Sequence, residues 1–167
     1  MKIMIFSDSH GNGRAMSALV ASRPDADVFL HLGDGVAEFE RIGECDAARR
    51  PFVSVRGNCD LSVQTVSETV LELEGKRLFL IHGWQSPLSS LSYRAMEKKA
   101  DVLLFGHTHC RYQSFVRDEA SGRELHLFNP GSVSLPRDGL SPSFGILEIR
   151  GGQMLFSHGN IDRRLLG

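Results

Sequence analysis

Five short apolar runs set the frame of this chain: Lys2 to Phe6, Asp27 to Leu32, Phe52 to Val55, Arg77 to Ile81 and Asp101 to Phe105. They are rich in β-branched, leucine and aromatic residues and too short for buried helices, so each reads as a buried strand. Each breaks off into polar punctuation: Ser7-Asp8-Ser9-His10-Gly11, Gly33-Asp34-Gly35, Arg56-Gly57-Asn58-Cys59-Asp60, His82-Gly83 and Gly106-His107-Thr108-His109. Strand after strand thus delivers carboxylates, an amide and imidazoles to its exit.

The intervening segments supply the connections. Ala15, Met16, Leu19 and Val20 recur at helical spacing over Gly13 to Ser22, and Arg23-Pro24 closes that helix. A second helix is expected over Val36 to Ala48, weakened by Gly43. Thr69 to Leu73, with a turn at Glu74-Gly75, makes a hairpin with Arg77 to Ile81, and Leu88, Leu91 and Ala95 space a third helix ending near Lys98 and Lys99. The last third reads as antiparallel ribbon: Arg111 to Arg117, a turn around Glu119 to Gly122, Glu124 to Phe128, Asn129-Pro130-Gly131-Ser132, and a final hairpin turning at Gly151-Gly152. Helix-alternating strands followed by ribbon predict an α/β protein of two packed mixed sheets with helices outside. Its strand-exit loops gather at one edge, where α/β folds bind ligands.

A chain of 167 residues suits a single domain, 1–167. Its formal charge of -1 leaves no basic excess for an extended nucleic-acid surface. No apolar run approaches the roughly 18 residues of a membrane span, and the N-terminus has no signal-peptide character, so a cytoplasmic protein without a membrane partner is expected. Cys45, Cys59 and Cys110 form no C-x-x-C pair and are expected as reduced thiols.

Seven exit residues carry the chemistry: Asp8, His10, Asp34, Asn58, His82, His107 and His109. Taken singly, Asp8 reads as a helix cap, Asp34 and Asn58 as turn formers and His82 as a strand end. Together they form a nitrogen and oxygen donor set suited to two divalent first-row metals, unlike an all-oxygen magnesium cage or a thiolate zinc site. In extended backbone, residues i and i+2 project to one side, which places the His107 and His109 rings in one space. Two ions about 3.5–4 Å apart, sharing a carboxylate, lower the pKa of a held water from 15.7 toward about 7 and suit in-line attack on phosphorus by the resulting hydroxide.

Asp8-Ser9-His10, Gly33-Asp34, Gly57-Asn58-Cys59-Asp60, His82-Gly83 and Gly106-His107-Thr108-His109 resemble the ordered five-block signature of the calcineurin-like metallophosphoesterase superfamily. The short chain and Asn129-Pro130-Gly131-Ser132 resemble its small microbial phosphodiesterase branch. The resemblance implies a four-layer αββα sandwich, two mixed β-sheets flanked by helices. It implies one metal held by Asp8, His10, Asp34 and His109 and another by Asp34, Asn58, His82 and His107, with Asp34 as bridge. Manganese is the first expectation, with iron, cobalt, zinc or nickel as alternatives. Asp34, Asn58 and His107 would serve catalysis through the hydroxide, and the expected substrate is a small-molecule phosphodiester. The alternatives are a phosphomonoesterase or nucleotidase and a non-catalytic scaffold of the same fold. A nuclease is disfavoured by the missing basic, aromatic-rich surface.

One position departs from the larger relatives, where histidine often follows the metal-binding asparagine and assists the leaving group. Here it is Cys59, a weak hydrogen-bonding thiol from which general-acid assistance is not expected. Outside the blocks, His31 is expected as a satisfied core histidine, and Asp60 as either a ligand-orienting group or a turn cap. Arg14, Arg56 and Arg137 are candidate phosphate clamps. The C-terminal ribbon, if it exposes apolar strands, would support a homo-oligomer.

Overall fold

The computed structural model describes residues 1–61, 63–118, 121–162 and 164. The chain runs β1 (Lys2–Phe6), α1 (Gly13–Ser22), β2 (Val28–His31), α2 (Val36–Glu44), β3 (Phe52–Ser54), β4 (Glu68–Leu73), β5 (Lys76–Ile81), α3 (Leu88–Glu97), β6 (Val102–Phe105), β7 (Arg111–Arg117), β8 (Glu124–Pro130), β9 (Ser143–Arg150) and β10 (Gln153–Asn160). These strands form two five-stranded mixed sheets, ordered β10-β9-β1-β2-β3 and β4-β5-β6-β8-β7.

Strand alternation sorts the side chains into layers. Ile3 and Ile5 of β1 meet Leu78 and Leu80 of β5 and Val102 and Leu104 of β6 in a core between the sheets. Met4 and Phe6 face the other way, against Met16 and Leu19 of α1 and Phe39 of α2. Phe79, Leu103 and Phe105 turn outward onto Leu91 and Ala95 of α3. Each fully buried side chain of this kind contributes about 1.5–3 kcal/mol relative to an exposed one, so the two strand faces together specify the αββα order. No helix among the described residues is long and apolar enough to cross a membrane.

Two expectations are corrected. The second helix stops at Glu44 rather than Ala48, where the Cys45 N–H bonds back to Arg41 and the Asp46 carboxylate captures Arg50. Gly43 lies within that helix, and a Cβ there would come within 2.8–3.1 Å of the Phe52 ring, so the residue permits close packing of α2 on β3. The C-terminal ribbon is divided between the sheets: β8 runs parallel to β6 and antiparallel to β7, whereas the β9–β10 hairpin joins the other sheet beside β1. Alternation marks strands and hairpins, but the distant partner depends on which face each strand buries. Of the expected turn at Glu119 to Gly122, Glu119 and Ala120 lie outside the described residues.

The parallel trios β1-β2-β3 and β5-β6-β8 matter most for the site. The β1, β2, β3, β5 and β6 exits converge: Asp8 N–H bonds to the Gly33 carbonyl at 2.9 Å, Gly106 N–H to the His82 carbonyl at 3.1 Å, and His107 N–H to Asp8 Oδ2 at 3.0 Å, linking one sheet to the other.

Candidate metal centre

The exits turn sharply. Asp8, His10, Asp34, His107 and His109 have φ of 53, 45, 59, 65 and 58°, the left-handed region that non-glycine residues seldom occupy. Such backbone persists only where surrounding contacts hold it, and it clusters at functional sites. It also corrects the extended geometry expected for His107 and His109. The intervening backbone coils, so the two rings take different neighbours: His107 lies 5.3 Å from the His82 ring, and His109 lies 5.0 Å from that of His10.

Hydrogen bonding fixes how two of the imidazoles present themselves. His82 Nδ1 lies 2.7 Å from the Leu32 carbonyl, and His109 Nδ1 lies 2.7 Å from that of Leu135. A carbonyl oxygen only accepts, so each Nδ1 carries the proton and, in the neutral ring, each Nε2 offers a lone pair. Those lone pairs point at other acceptors. His109 Nε2 is 3.2 Å from Asp8 Oδ1, and His82 Nε2 is 3.2 Å from Asn58 Oδ1, 3.5 Å from Asp34 Oδ2 and 3.9 Å from Asp8 Oδ1. Asp8 Oδ1 is buried with no hydrogen bond of acceptable geometry. Its partner Oδ2 is engaged by the Ser7 hydroxyl at 2.6 Å and the His107 N–H. Acceptors facing acceptors in a buried space call for positive charge between them, either a proton or a metal ion.

The electrostatics agree. Burial opposes charge on His82, but Asp34 and Asp8 outweigh it and raise its pKa; the Asp8 carboxylate beside His109 raises that of His109. Burial also works against the Asp34 carboxylate, yet His82 and the Cys59 N–H, which donates to Oδ1 at 2.8 Å, hold its pKa well below the usual range. His107 is shifted down, by burial and then by His82, which favours the neutral ring a ligand requires. Burial pushes the Cys59 thiol up to about 11. His31 is the satisfied core histidine expected: burial lowers it to about 4, and its nitrogens lie 3.2 Å from Ser9 Oγ and 3.1 Å from Gly33 N–H.

Donor atoms of Asp8, His10 and His109, of Asp8, Asp34 and His82, and of His10, Asp34 and Cys59 each lie within 4.8 Å of one another. Asn58 joins through its contact with His82. His107 approaches by its ring but belongs to none of these groups of three. The set is rich in nitrogen and oxygen donors and fits a divalent transition metal.

Two positioning elements were not resolved from the sequence. Asp60 accepts four backbone N–H bonds, from Asp34 at 2.7 Å, Gly35 at 2.9 Å, Val36 at 3.1 Å and Gly57 at 2.8 Å, thereby binding the β2 exit to the β3 exit. Ser132 donates its hydroxyl to the Asp8 carbonyl at 2.8 Å, and Asn129 donates to the Gly106 carbonyl at 2.9 Å, so the end of β8 and the loop after it brace two exits. Asp60 closes the family-like block Gly57-Asn58-Cys59-Asp60, and that was the available signal. Gly57 is demanded by packing, since a Cβ there would overlap the Asp34 carboxylate.

Comparison with known proteins then settles the lineage. The family model described as "Calcineurin-like phosphoesterase superfamily domain" matches residues 1–152. The chain belongs to this superfamily. It is 32% identical over 155 residues to the probable metallophosphoesterase YsnB of Bacillus subtilis, covering 89% of this chain and 85% of that protein. It is 32% identical over 170 residues to the phosphodiesterase YfcE of Escherichia coli K12, covering 89% of this chain and 88% of that one. Among solved structures, Vps29 of Entamoeba histolytica, crystallised with zinc, superposes with a TM-score of 0.70 at 21% identity, covering 97% of this chain and 100% of that chain, a likeness of fold. The αββα sandwich is thus the calcineurin-like phosphoesterase frame, and the Asp/His clusters sit where its strand exits converge.

Proposed function

We propose that this calcineurin-like phosphoesterase is a phosphodiesterase using two divalent transition-metal ions, one held by Asp8, His10, Asp34 and His109 and the other by Asp34, Asn58, His82 and His107. The observation that carries the reading is the convergence of two carbonyl-anchored imidazole lone pairs on Asp8, Asp34 and Asn58 oxygens, with Asp8 Oδ1 buried and unsatisfied. When bound, such ions supply Lewis acidity toward phosphoryl oxygens and a water acidic enough to act as nucleophile near neutral pH.

The chain's own residues do the positioning. Leu32 and Leu135 fix the tautomers of His82 and His109, Ser7 and the His107 N–H orient Asp8, and Asp60 holds the backbone that presents Asp34. A diester carries one negative charge and a monoester two. Arg137, whose backbone N–H bonds to the His109 carbonyl at 3.0 Å, is a cation near that ring and suits a phosphodiester monoanion. Three free thiols favour a reducing cytoplasm. Manganese is the first candidate on the family resemblance alone, before the departure at Cys59 is weighed.

Cys59 lacks the imidazolium that could protonate a leaving group, so aryl diesters should turn over far faster than alkyl diesters of similar size. Metal analysis together with hydrolysis of bis(p-nitrophenyl) phosphate, p-nitrophenyl phosphate and an alkyl diester tests the whole reading. Chelation or Asp34→Ala should abolish turnover, and adding back manganese, zinc or cobalt should restore the chelated wild type. Full activity after chelation refutes the metal mechanism, faster monoester cleavage refutes the diester assignment, and equal aryl and alkyl rates refute the role given to Cys59.

A further inference from the structure

Cys59 stands where the larger relatives often place a histidine, and its surroundings point to coordination. Its Sγ, a nitrogen of His10 and an oxygen of Asp34 lie within 4.8 Å of one another, with His10 and Cys59 exposed and Asp34 buried beneath them. Metal–sulfur, metal–nitrogen and metal–oxygen bonds to zinc run about 2.3, 2.0–2.1 and 2.0–2.2 Å, so one ion can touch three atoms so spaced after small side-chain movements. Two further contacts hold Cys59 against the cluster. The Cys59 N–H donates to Asp34 Oδ1, and the Asn58 Nδ2 donates to Sγ at 3.3 Å, leaving the Asn58 oxygen turned toward His82. On the same side, His10 Nε2 is 3.2 Å from His109 Nε2, which in turn faces the unsatisfied Asp8 Oδ1.

We infer that Cys59 is a sulfur ligand to the ion shared by His10 and Asp34, and that it biases this centre toward thiophilic cations, zinc and cobalt, over manganese. The inference rests on the metal reading above and extends it to metal selection. Coordination forms one sulfur–metal bond and releases the thiol proton to solvent; no electron is transferred. A soft donor added to nitrogen and oxygen ligands favours zinc and cobalt, whereas manganese is best matched by carboxylates, carbonyls and water.

Cobalt(II) titration of the full-length, metal-stripped protein separates the two claims spectroscopically. Visible d–d bands report that the centre binds cobalt at all, and a near-ultraviolet sulfur-to-cobalt charge-transfer band reports a sulfur ligand. The wild type should show both. Cys59→Ser should keep the visible bands and lose the near-ultraviolet one, whereas Cys45→Ser and Cys110→Ser should keep both. Zinc affinity should fall in Cys59→Ser by at least the roughly 10- to 100-fold that loss of a ligand's outer hydrogen-bond partner costs, with manganese affinity changed far less. Visible bands without the near-ultraviolet band in wild type, or a near-ultraviolet band that survives Cys59→Ser, overturn the sulfur assignment while leaving the metal centre intact. Equal losses of zinc and manganese affinity overturn the selectivity. No visible band in wild type overturns the metal reading, and this inference with it.

Discussion

Asp60 shows how a residue outside the donor set can govern it. Its carboxylate is the common acceptor for four backbone N–H groups, and three of these belong to Asp34, Gly35 and Val36, the segment that holds Asp34 at φ 59°. Removing a charged acceptor strands partly buried donors at about 1–3 kcal/mol each where water cannot replace it. Because the site is half open, Asp60→Ala should cost about 2–4 kcal/mol by urea denaturation. It should also weaken metal binding by about 10- to 100-fold in calorimetry; an unchanged affinity would show that Asp34 keeps its pose without this clamp. The seven candidate ligands were legible because carboxylates, amide and imidazoles recur at strand exits. The left-handed backbone of His107 and His109 was not, because two histidines separated by one residue are compatible with extended and coiled backbone alike. Nor could spacing choose between ligand and cap for Asp60, since that choice depends on N–H groups more than twenty residues away.

Among the elements, the junction of α1, α2 and β3 shows why helix boundaries escaped the sequence. The Asp46 carboxylate, just past the end of α2, accepts from the Arg50 backbone N–H at 3.0 Å and Nε at 3.1 Å, while the Arg50 guanidinium donates to the Arg23 carbonyl at 2.9 Å and lies 4.7 Å from the Phe29 ring centre. A helix continued to Ala48 would forfeit this knot, and periodicity carries no trace of it. Hydrogen bonding from Arg50 lowers the Asp46 pKa below its ordinary value. The folded state therefore binds the proton less readily than the unfolded chain. The stabilisation is present above the unfolded pKa of about 4 and is lost as pH falls through the lower folded value. Asp46→Asn should be less stable than wild type at pH 7, and the gap should narrow on acidification below about pH 4. Urea midpoints at pH 7 and pH 3 measure it, and a pH-independent gap would assign the loss to packing. The strands themselves and both C-terminal hairpins were legible from alternation and turn residues; the assignment of β9 and β10 to the first sheet was not, because pairing with β1 spans most of the chain.

At the scale of the molecule, the site joins the two sheets. Asp8, His10, Asp34 and Asn58 follow β1, β2 and β3 of one sheet, while His82, His107 and His109 follow β5 and β6 of the other. Without a metal ion, a proton held by His82 or His109 is what answers the carboxylate oxygens at this seam, beside the inter-sheet core of Ile3, Leu30, Leu80 and Leu104. A divalent ion adds to stability by binding only the folded arrangement, at about 2.7 kcal/mol per site when free metal is 100 times Kd. For a chain of this size that corresponds to roughly 5–10 °C in Tm. Asp34→Asn should separate the two contributions, since an amide oxygen can still accept from the Cys59 N–H but brings no charge to the seam. Its metal-free Tm should lie below that of metal-free wild type, because, against the pull of burial, the His82 and Cys59 N–H contacts depress the Asp34 pKa and favour the charged carboxylate, and added zinc or manganese should move it little. A wild-type Tm indifferent to metal, or an Asp34→Asn protein that gains the full increment, would mean that the seam is closed by the core alone and that Asp34 does not join its halves.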